Sequence, residues 1–184
     1  MNPGGVIPSR MRSTPLLAFA LLAIGCTPRG EGDAALASAT TFTKTFYDWY
    51  VPKADKGTGL EIATSDSARL FDPGLRHALS EDSAAQAKDS TEVVGLDGDP
   101  FLNAQDFCQS YEIGAARRDS THILVEVFGV CDGKKHESPD VIAELAPRGS
   151  SFVFTDFRYP GEHSTLLRVL ADLKVERERT PKKK

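Results

Sequence analysis

Apolar residues recur every three or four positions in residues 34–51, which is the period of one face of an α-helix. The recurring residues are Leu36, Ala39, Phe42, Phe46, Trp49 and Tyr50. The pattern predicts a helix over residues 34–51 that ends at Pro52, because proline disfavours the helical conformation of the residue before it. Asp72 and Pro73 predict the start of a second helix, as its cap and first residue. We expect this helix to fray in residues 80–90, which are polar.

The period of the pattern changes in the second half of the chain, where apolar and polar residues alternate as in β-strands. Residues 107–116 and 121–130 predict one hairpin, and residues 141–146 and 151–158 predict another. Both faces of the 121–130 strand are largely apolar, so we expect this strand to lie inside the sheet. Ser164 is expected to cap a last helix. Its apolar stripe consists of Leu166, Leu167, Leu170 and Leu173.

This order of elements indicates the α+β class, in which helices are segregated from an antiparallel sheet. We predict a curved, cone-like antiparallel sheet of about four to six strands, packed on N-terminal helices and followed by a short C-terminal helix. Apolar residues make up 40% of the 184-residue chain and charged residues 26%, which excludes collagen, coiled coil and full disorder. The net charge of −4 argues against a nucleic-acid partner.

The first 25 residues have the composition of a secretory signal peptide. Arg10 and Arg12 precede an apolar run, residues 16–24, which is too short to span a bilayer and ends at Gly25 and Cys26. A small residue before a cysteine at this place resembles the lipobox of bacterial lipoproteins. That resemblance implies cleavage before Cys26 and acylation of Cys26, with palmitate as a typical chain. An ordinary secretory signal with an unrelated cysteine is the alternative.

The lipobox resemblance also implies a location and a domain organisation. Several acyl chains on one cysteine hold a protein stably on a membrane, so we expect an anchor in the bacterial cell envelope with the domain facing the periplasm. Thr27 stands where inner-membrane lipoproteins usually have aspartate, which favours the outer membrane. We expect a tether over residues 26–33, a single domain over residues 34–174 and a disordered charged tail over residues 175–184.

Two motifs of the predicted domain resemble a known family. They are Phe46-Tyr47-x-Trp49-Tyr50 and Asp97-x-Asp99-Pro100-Phe101, the latter followed by Gln105-Asp106. Their order and spacing resemble the family called domain of unknown function 3828, which occurs on bacterial lipoproteins and secreted proteins. The likeness covers residues 41–172, and Phe152 stands where the family usually has tryptophan. It implies a cone-shaped α+β fold similar to nuclear transport factor two and ketosteroid isomerase, and it implies no reaction.

A cone of this kind can hold a pocket between its sheet and its helices, and seven residues are candidates for a pocket or an interface. They are Tyr47, Trp49, Tyr50, Asp99, Asp106, Tyr111 and Glu126. An isomerase- or hydratase-type enzyme would use Asp106 or Glu126 as a base beside a tyrosine donor. In the structural interpretation, Tyr47 and Tyr50 are aromatics at the edge of the core whose hydroxyls reach water.

No metal site and no cofactor are predicted. Asp97, Asp99 and Asp106 lack the twelve-residue calcium-loop pattern, so we expect Asp99 to fix a structural turn before Pro100. The histidines lie in different predicted elements and show no zinc-ligand spacing with the cysteines. They are His77, His122, His136 and His163.

A disulfide between Cys108 and Cys131 is predicted, because both lie at the outer ends of the first hairpin and the predicted compartment is oxidising. A regular ladder would place these two residues on opposite faces of the hairpin. The disulfide therefore calls for a bulge, for which Gly114 and Gly129 are the candidates.

The sequence holds no glycine-rich phosphate loop and no nucleophile elbow. We therefore expect a lipid-anchored envelope domain that binds an envelope protein partner or a small ligand without catalysis. The alternatives are the isomerase- or hydratase-type enzyme and an immunity or inhibitor protein for an envelope toxin.

Overall fold

The computed structural model describes residues 1, 29–56, 60–61, 65, 69–88 and 93–179. Apart from Met1, the predicted signal peptide lies outside this part of the chain, and so do Cys26 and the last five residues of the predicted tail. None of the described helices combines the length and the apolarity that crossing a membrane requires.

The described elements follow the predicted order and confirm the α+β class. They are α1 (Arg29–Ala54), α2 (Pro73–Gln86), β1 (Ser110–Asp119), β2 (His122–Cys131), β3 (Lys134–Lys135), β4 (Val141–Arg148), β5 (Ser151–Tyr159), β6 (Ser164–Thr165) and α3 (Leu166–Arg179).

The strands form one open antiparallel sheet in the order β1-β2-β4-β5-β6, and the short β3 pairs with the end of β2. β2 lies between β1 and β4, which confirms its predicted interior position. α1 packs across β1, β2 and β5, whereas α2 and α3 pack on each other and on β5. The helices thus cover one face of the sheet.

The space between α1 and the sheet is filled by aromatic rings. The Phe46 ring is stacked on the Tyr50 ring at 5.2 Å and lies 4.8 Å from the Phe154 ring. Phe71 and Phe101 stack on each other at 5.1 Å beside them. Aromatic pairs of this kind each add about 0.5–1.5 kcal/mol beyond the burial of their area, so they contribute strongly to the stability of this core.

α1 is longer at both ends than the sequence predicted. It begins at Arg29, so residues 29–33 of the predicted tether are helical. It also continues past Pro52, although a proline has no N–H to donate within the helix. The amide of Asp55 still donates to the carbonyl of Val51 at 3.1 Å.

α2 begins as predicted, with the side chain of Asp72 accepting the amide of Gly74 and Pro73 in the first turn. The predicted fraying is wrong as far as Gln86, because polar side chains of this stretch hold the chain that follows. Gln86 accepts the amides of Val94 and Gly95, and Asp82 accepts that of Leu96.

α3 continues to Arg179, so the first residues of the predicted disordered tail are helical. Two cations of this stretch are tied to α2: Lys174 lies 3.1 Å from Glu81, and Arg177 lies 2.5 Å from Asp82. Ser164 does not cap the helix, because it pairs with Tyr159 in β6. Instead, Asp156 accepts the amide of Leu167, and Thr165 accepts that of Arg168.

Candidate functional site

The hydroxyl of Tyr47 is buried and bonded to the protein. It donates to the carbonyl oxygen of Phe101 at 2.7 Å, while the hydroxyl of Tyr159 donates to the carbonyl oxygen of Pro100 at 2.8 Å. Tyrosines from α1 and β5 therefore hold the turn at residues 100–101 against the core. Burial raises the pKa of Tyr47 well above its ordinary value.

The hydroxyl of Tyr50 donates a hydrogen bond to Oδ2 of Asp99 at 2.5 Å. Oδ1 of the same carboxylate accepts the amides of Phe101 and Leu102, so both oxygens of Asp99 have partners. Burial raises the pKa of Asp99, and the hydrogen bonds that the carboxylate accepts oppose this effect. Asp99 thus fixes the turn, as the sequence predicted. The expectation that the hydroxyls of Tyr47 and Tyr50 reach water is wrong, because both are bonded to the protein.

A depression of about 440 Å³ opens to solvent beside Asp99. Its lining combines apolar side chains with the polar groups of the 97–105 turn. The lining residues are Ala54, Leu60, Asp97, Gly98, Asp99, Ala104, Gln105 and Phe107. The side-chain amide of Gln105 donates to the carbonyl and the carboxylate of Asp97, which orders the rim. We call this surface the Asp99 depression.

The other candidate residues are dispersed. Tyr111 is half-buried, with its ring 5.8 Å from that of Tyr47, and Trp49 is half-buried beneath the Lys53 ammonium. Asp106 is exposed, next to the rim of the Asp99 depression.

Glu126 lies on the opposite side of the sheet from the tyrosines, because strand alternation places it away from the face that carries Val125 and Val127. The structure therefore brings neither Asp106 nor Glu126 to a tyrosine in the interior. This arrangement differs from the one that the predicted isomerase- or hydratase-type site requires.

The predicted disulfide between Cys108 and Cys131 is confirmed, with the two Cα atoms 4.6 Å apart. The register of β1 and β2 shifts between Ile113 and Ala116, which places an irregularity at the predicted Gly114. This shift is not what joins the cysteines, since the ladder on their side of it is regular. Cys108 precedes β1, which begins at Ser110, so the alternation of that strand does not set its direction.

A histidine and an aspartate lie behind this disulfide. Nδ1 of His136 lies 2.9 Å from Oδ1 of Asp140, whose Oδ2 accepts the amide of Gly129 at 2.6 Å. Nε2 of His136 lies 3.7 Å from Sγ of Cys108. We call Cys108, Cys131 and His136, together with Asp140, the His136 cluster.

The His136 cluster was not predicted from the sequence, because its cysteines and histidine do not have the spacing of common zinc sites. The tight connection from β2 through β3 folds the chain back on itself, and the amide of His136 donates to the carbonyl of Gly129 at 2.9 Å. The sequence does show that three members of the cluster are close together along the chain, since His136 follows Cys131 by five residues and precedes Asp140 by four.

The other predicted surface groups do not converge. In the described part of the chain, Cys108, Cys131 and His136 form the one group with metal-ligand geometry, and the aspartates of the 97–106 segment are not in such a group. His77 lies 3.7 Å from Glu81 on α2, and His122 lies 3.7 Å from Glu144.

Comparison of the chain with protein-family models, with curated proteins and with solved structures finds no match. The resemblance to the family called domain of unknown function 3828, and the cone fold that it implies, stay predictions.

Proposed function

We propose that this chain is a lipid-anchored domain of the bacterial cell envelope that binds an envelope protein or a small ligand at its surface without catalysing a reaction. The lipobox-like Gly25-Cys26 supports the anchor and the location. The packed interior supports binding at the surface, because side chains already fill the space between α1 and the sheet where an internal ligand would lie.

The interior offers little for a substrate to bind. Rings of Phe46, Phe101 and Phe154 occupy the space between α1 and the sheet, and each of these residues is at most 3% exposed. The hydroxyls of Tyr47 and Tyr50, which an isomerase would use as donors, already have partners in the protein. A ligand that entered this space would have to displace packed rings. Truncation of one buried aromatic side chain to alanine destabilises a protein by about 3–5 kcal/mol, which indicates how unfavourable such a displacement would be.

The Asp99 depression is the surface that we assign to the partner. It joins apolar area from Leu60 and Phe107 to the ordered polar pair of Asp97 and Gln105. Concave surfaces that mix apolar area with a few fixed polar groups are typical of binding sites.

The isomerase- or hydratase-type enzyme has one observation in its favour, the Tyr50–Asp99 pair beside this depression. A base must have a lone pair free to take the substrate's proton. Three of the roughly four lone-pair sites of the Asp99 carboxylate already accept hydrogen bonds, from Tyr50, Phe101 and Leu102, so the group is largely committed to the protein. This geometry favours a structural role for the pair, and binding remains the better-supported function.

Metabolic labelling with an alkyne fatty acid tests the anchor. The full-length chain, expressed in a bacterium, should incorporate the label and sediment with membranes, and Cys26→Ala should do neither. A variant with Cys108→Ala and Cys131→Ala is the matched control and should keep the label. Label on Cys26→Ala, or a wild-type chain that stays in the soluble fraction, would contradict the anchor.

Site-specific photo-crosslinking in the envelope tests the binding surface. A photoreactive residue at the exposed Asp106, next to the depression, should give a discrete adduct, whereas one at the exposed Arg148 on the hairpin tip should not. Native mass spectrometry of the detergent-released chain covers the small-ligand case, in which an extra mass is lost on denaturation. Identical patterns from the two positions, together with a bare chain, would refute the assignment.

A further inference from the structure

The atoms of the His136 cluster are arranged as a ligand set for a metal ion. One ligand atom each from Cys108, Cys131 and His136 lies within 4.8 Å of the others. We propose that these three residues bind a zinc ion once the Cys108–Cys131 disulfide is reduced, and that Asp140 positions His136 for this role. The proposal concerns a site separate from the Asp99 depression and does not depend on the proposed function.

The ligand chemistry selects zinc. Thiolate sulfur and imidazole nitrogen are its preferred donors, and zinc–sulfur and zinc–nitrogen bonds are about 2.3 and 2.0–2.1 Å long. Tetrahedral geometry then separates a sulfur from a nitrogen ligand by about 3.5 Å. Sγ of Cys108 and Nε2 of His136 are already 3.7 Å apart. The two sulfurs have to separate from bonding distance, with Sγ of Cys131 staying near the histidine nitrogen from which it now lies within 4.8 Å. Cys131 is partly exposed, which leaves room for that movement.

Asp140 supplies the support that a zinc-binding histidine has in most proteins. An ionised carboxylate can only accept a hydrogen bond, so in the neutral imidazole of His136 this contact places the proton on Nδ1 and leaves the lone pair on Nε2. Nε2 is the nitrogen next to the sulfur of Cys108. The carboxylate is itself held by the amide of Gly129. A carboxylate on the far nitrogen of the histidine is the contact that orients the ligand in carboxylate–histidine–zinc sites.

The cluster leaves a fourth position for solvent. The side chain of His136 is 43% exposed, and Cys131 is half-buried, whereas Cys108 is buried. A water molecule can therefore complete a four-coordinate zinc, as in sites with three protein ligands.

Zinc can bind at this site only after the Cys108–Cys131 disulfide has been reduced. A dithiol reductant supplies two electrons and two protons, which break the S–S bond and leave two thiols, while the dithiol closes its own disulfide. Zinc then displaces the two thiol protons to solvent as the sulfurs become ligands. The disulfide-bonded chain has no thiolate to offer and should not bind zinc at this site.

A cobalt and zinc titration tests the proposal. The full chain carrying Cys26→Ser has only the two cysteines of the cluster. It is reduced with a phosphine, freed of the reductant under nitrogen and titrated with Co²⁺. We expect one Co²⁺ per chain, with thiolate-to-cobalt charge-transfer absorption and tetrahedral d–d bands, and displacement by Zn²⁺. The same chain with its disulfide intact should show neither spectrum.

Variants separate ligation from adventitious binding by two thiols. His136→Ala should lower the zinc affinity by more than 100-fold, and Asp140→Asn, which keeps all three ligands, by about 10–100-fold. His77→Ala, an exposed histidine on α2, is the matched control and should bind like the parent chain.

Circular dichroism before and after metal shows whether the reduced chain is folded. If reduction unfolds the chain, zinc should restore the fold in the parent and not in His136→Ala. Two results would overturn the proposal: a reduced chain that takes up no cobalt, or His136→Ala binding zinc as tightly as the parent.

Discussion

The side chain of Tyr50 reaches 49 positions along the sequence to donate a 2.5 Å hydrogen bond to the carboxylate of Asp99. Tyr50 is fully buried, so its hydroxyl has left water, and the bond is the partner that its burial requires. Through this bond α1 holds the 97–102 turn, and with it one wall of the Asp99 depression.

Tyr50→Phe removes the donor and leaves Oδ2 of Asp99 without this partner. The free energy of unfolding should fall by about 1–3 kcal/mol, the cost of leaving a buried polar group unsatisfied. Chemical denaturation of both proteins measures the change. A double-mutant cycle with Asp99→Ala, which removes the acceptor, should give a coupling energy of about 0.5–3 kcal/mol, and additive effects would mean that the two groups do not interact.

The pH dependence of stability should report the buried carboxyl of Asp99. Burial raises its pKa above the ordinary value of 3.8, against the hydrogen bonds that it accepts. The native state then binds more protons than the unfolded state between the two pKa values. The stability that Asp99 contributes should therefore fall as pH rises through that interval.

The measurement is the difference in unfolding free energy between wild type and Asp99→Asn from pH 3.5 upward. We expect this difference to shrink with rising pH. A difference that grows with pH would show that the hydrogen bonds outweigh burial and that the folded pKa of Asp99 lies below 3.8.

Arg177→Met leaves the carboxylate of Asp82, which is 6% exposed, without its cation. Loss of one partner of a buried pair costs about 3–5 kcal/mol, and thermal unfolding should show a correspondingly lower midpoint. Lys174→Met is the control, since its pair with Glu81 lies in solvent and should contribute little. Equal effects of the two substitutions would refute the importance of the buried pair.

Gly129→Ala should disturb the disulfide. A Cβ at this position would lie 2.7 Å from Sγ of Cys108 and 3.1 Å from Oδ2 of Asp140. Overpacking of this kind costs about 1–3 kcal/mol, and free-thiol labelling of the unfolded, non-reduced protein should find more unpaired cysteine than in wild type. Gly161→Ala, whose Cβ meets nothing within 4 Å, should leave both stability and thiol content unchanged.

Local periodicity determined the elements that the sequence could predict. The sequence predicted the apolar stripe of α1, the start of α2 at Asp72–Pro73 and the two hairpins. A spacing of three or four residues assigns residues to one face of a helix, and alternation assigns them to one face of a strand. The α+β class and the Cys108–Cys131 disulfide followed from their order and spacing.

Contacts between distant elements were decided by the tertiary structure alone. Arg177 lies in a charged stretch for which the sequence predicts disorder. Its ion pair with Asp82, 95 positions away, contributes to the helical order found there. The hydroxyl of Tyr47 meets the carbonyl of Phe101 because α1 lies across the sheet, and periodicity carries no information about that placement.

In the His136 cluster, too, the sequence shows one part of the arrangement and the tertiary structure decides the other. The residues Cys131, His136 and Asp140 are close in sequence, but their meeting with Cys108 depends on how the chain turns after β2. By itself the sequence determined which faces are apolar and where elements begin. Packing decided which polar groups meet, since two side chains from different elements come together only where the backbones of both elements place them side by side.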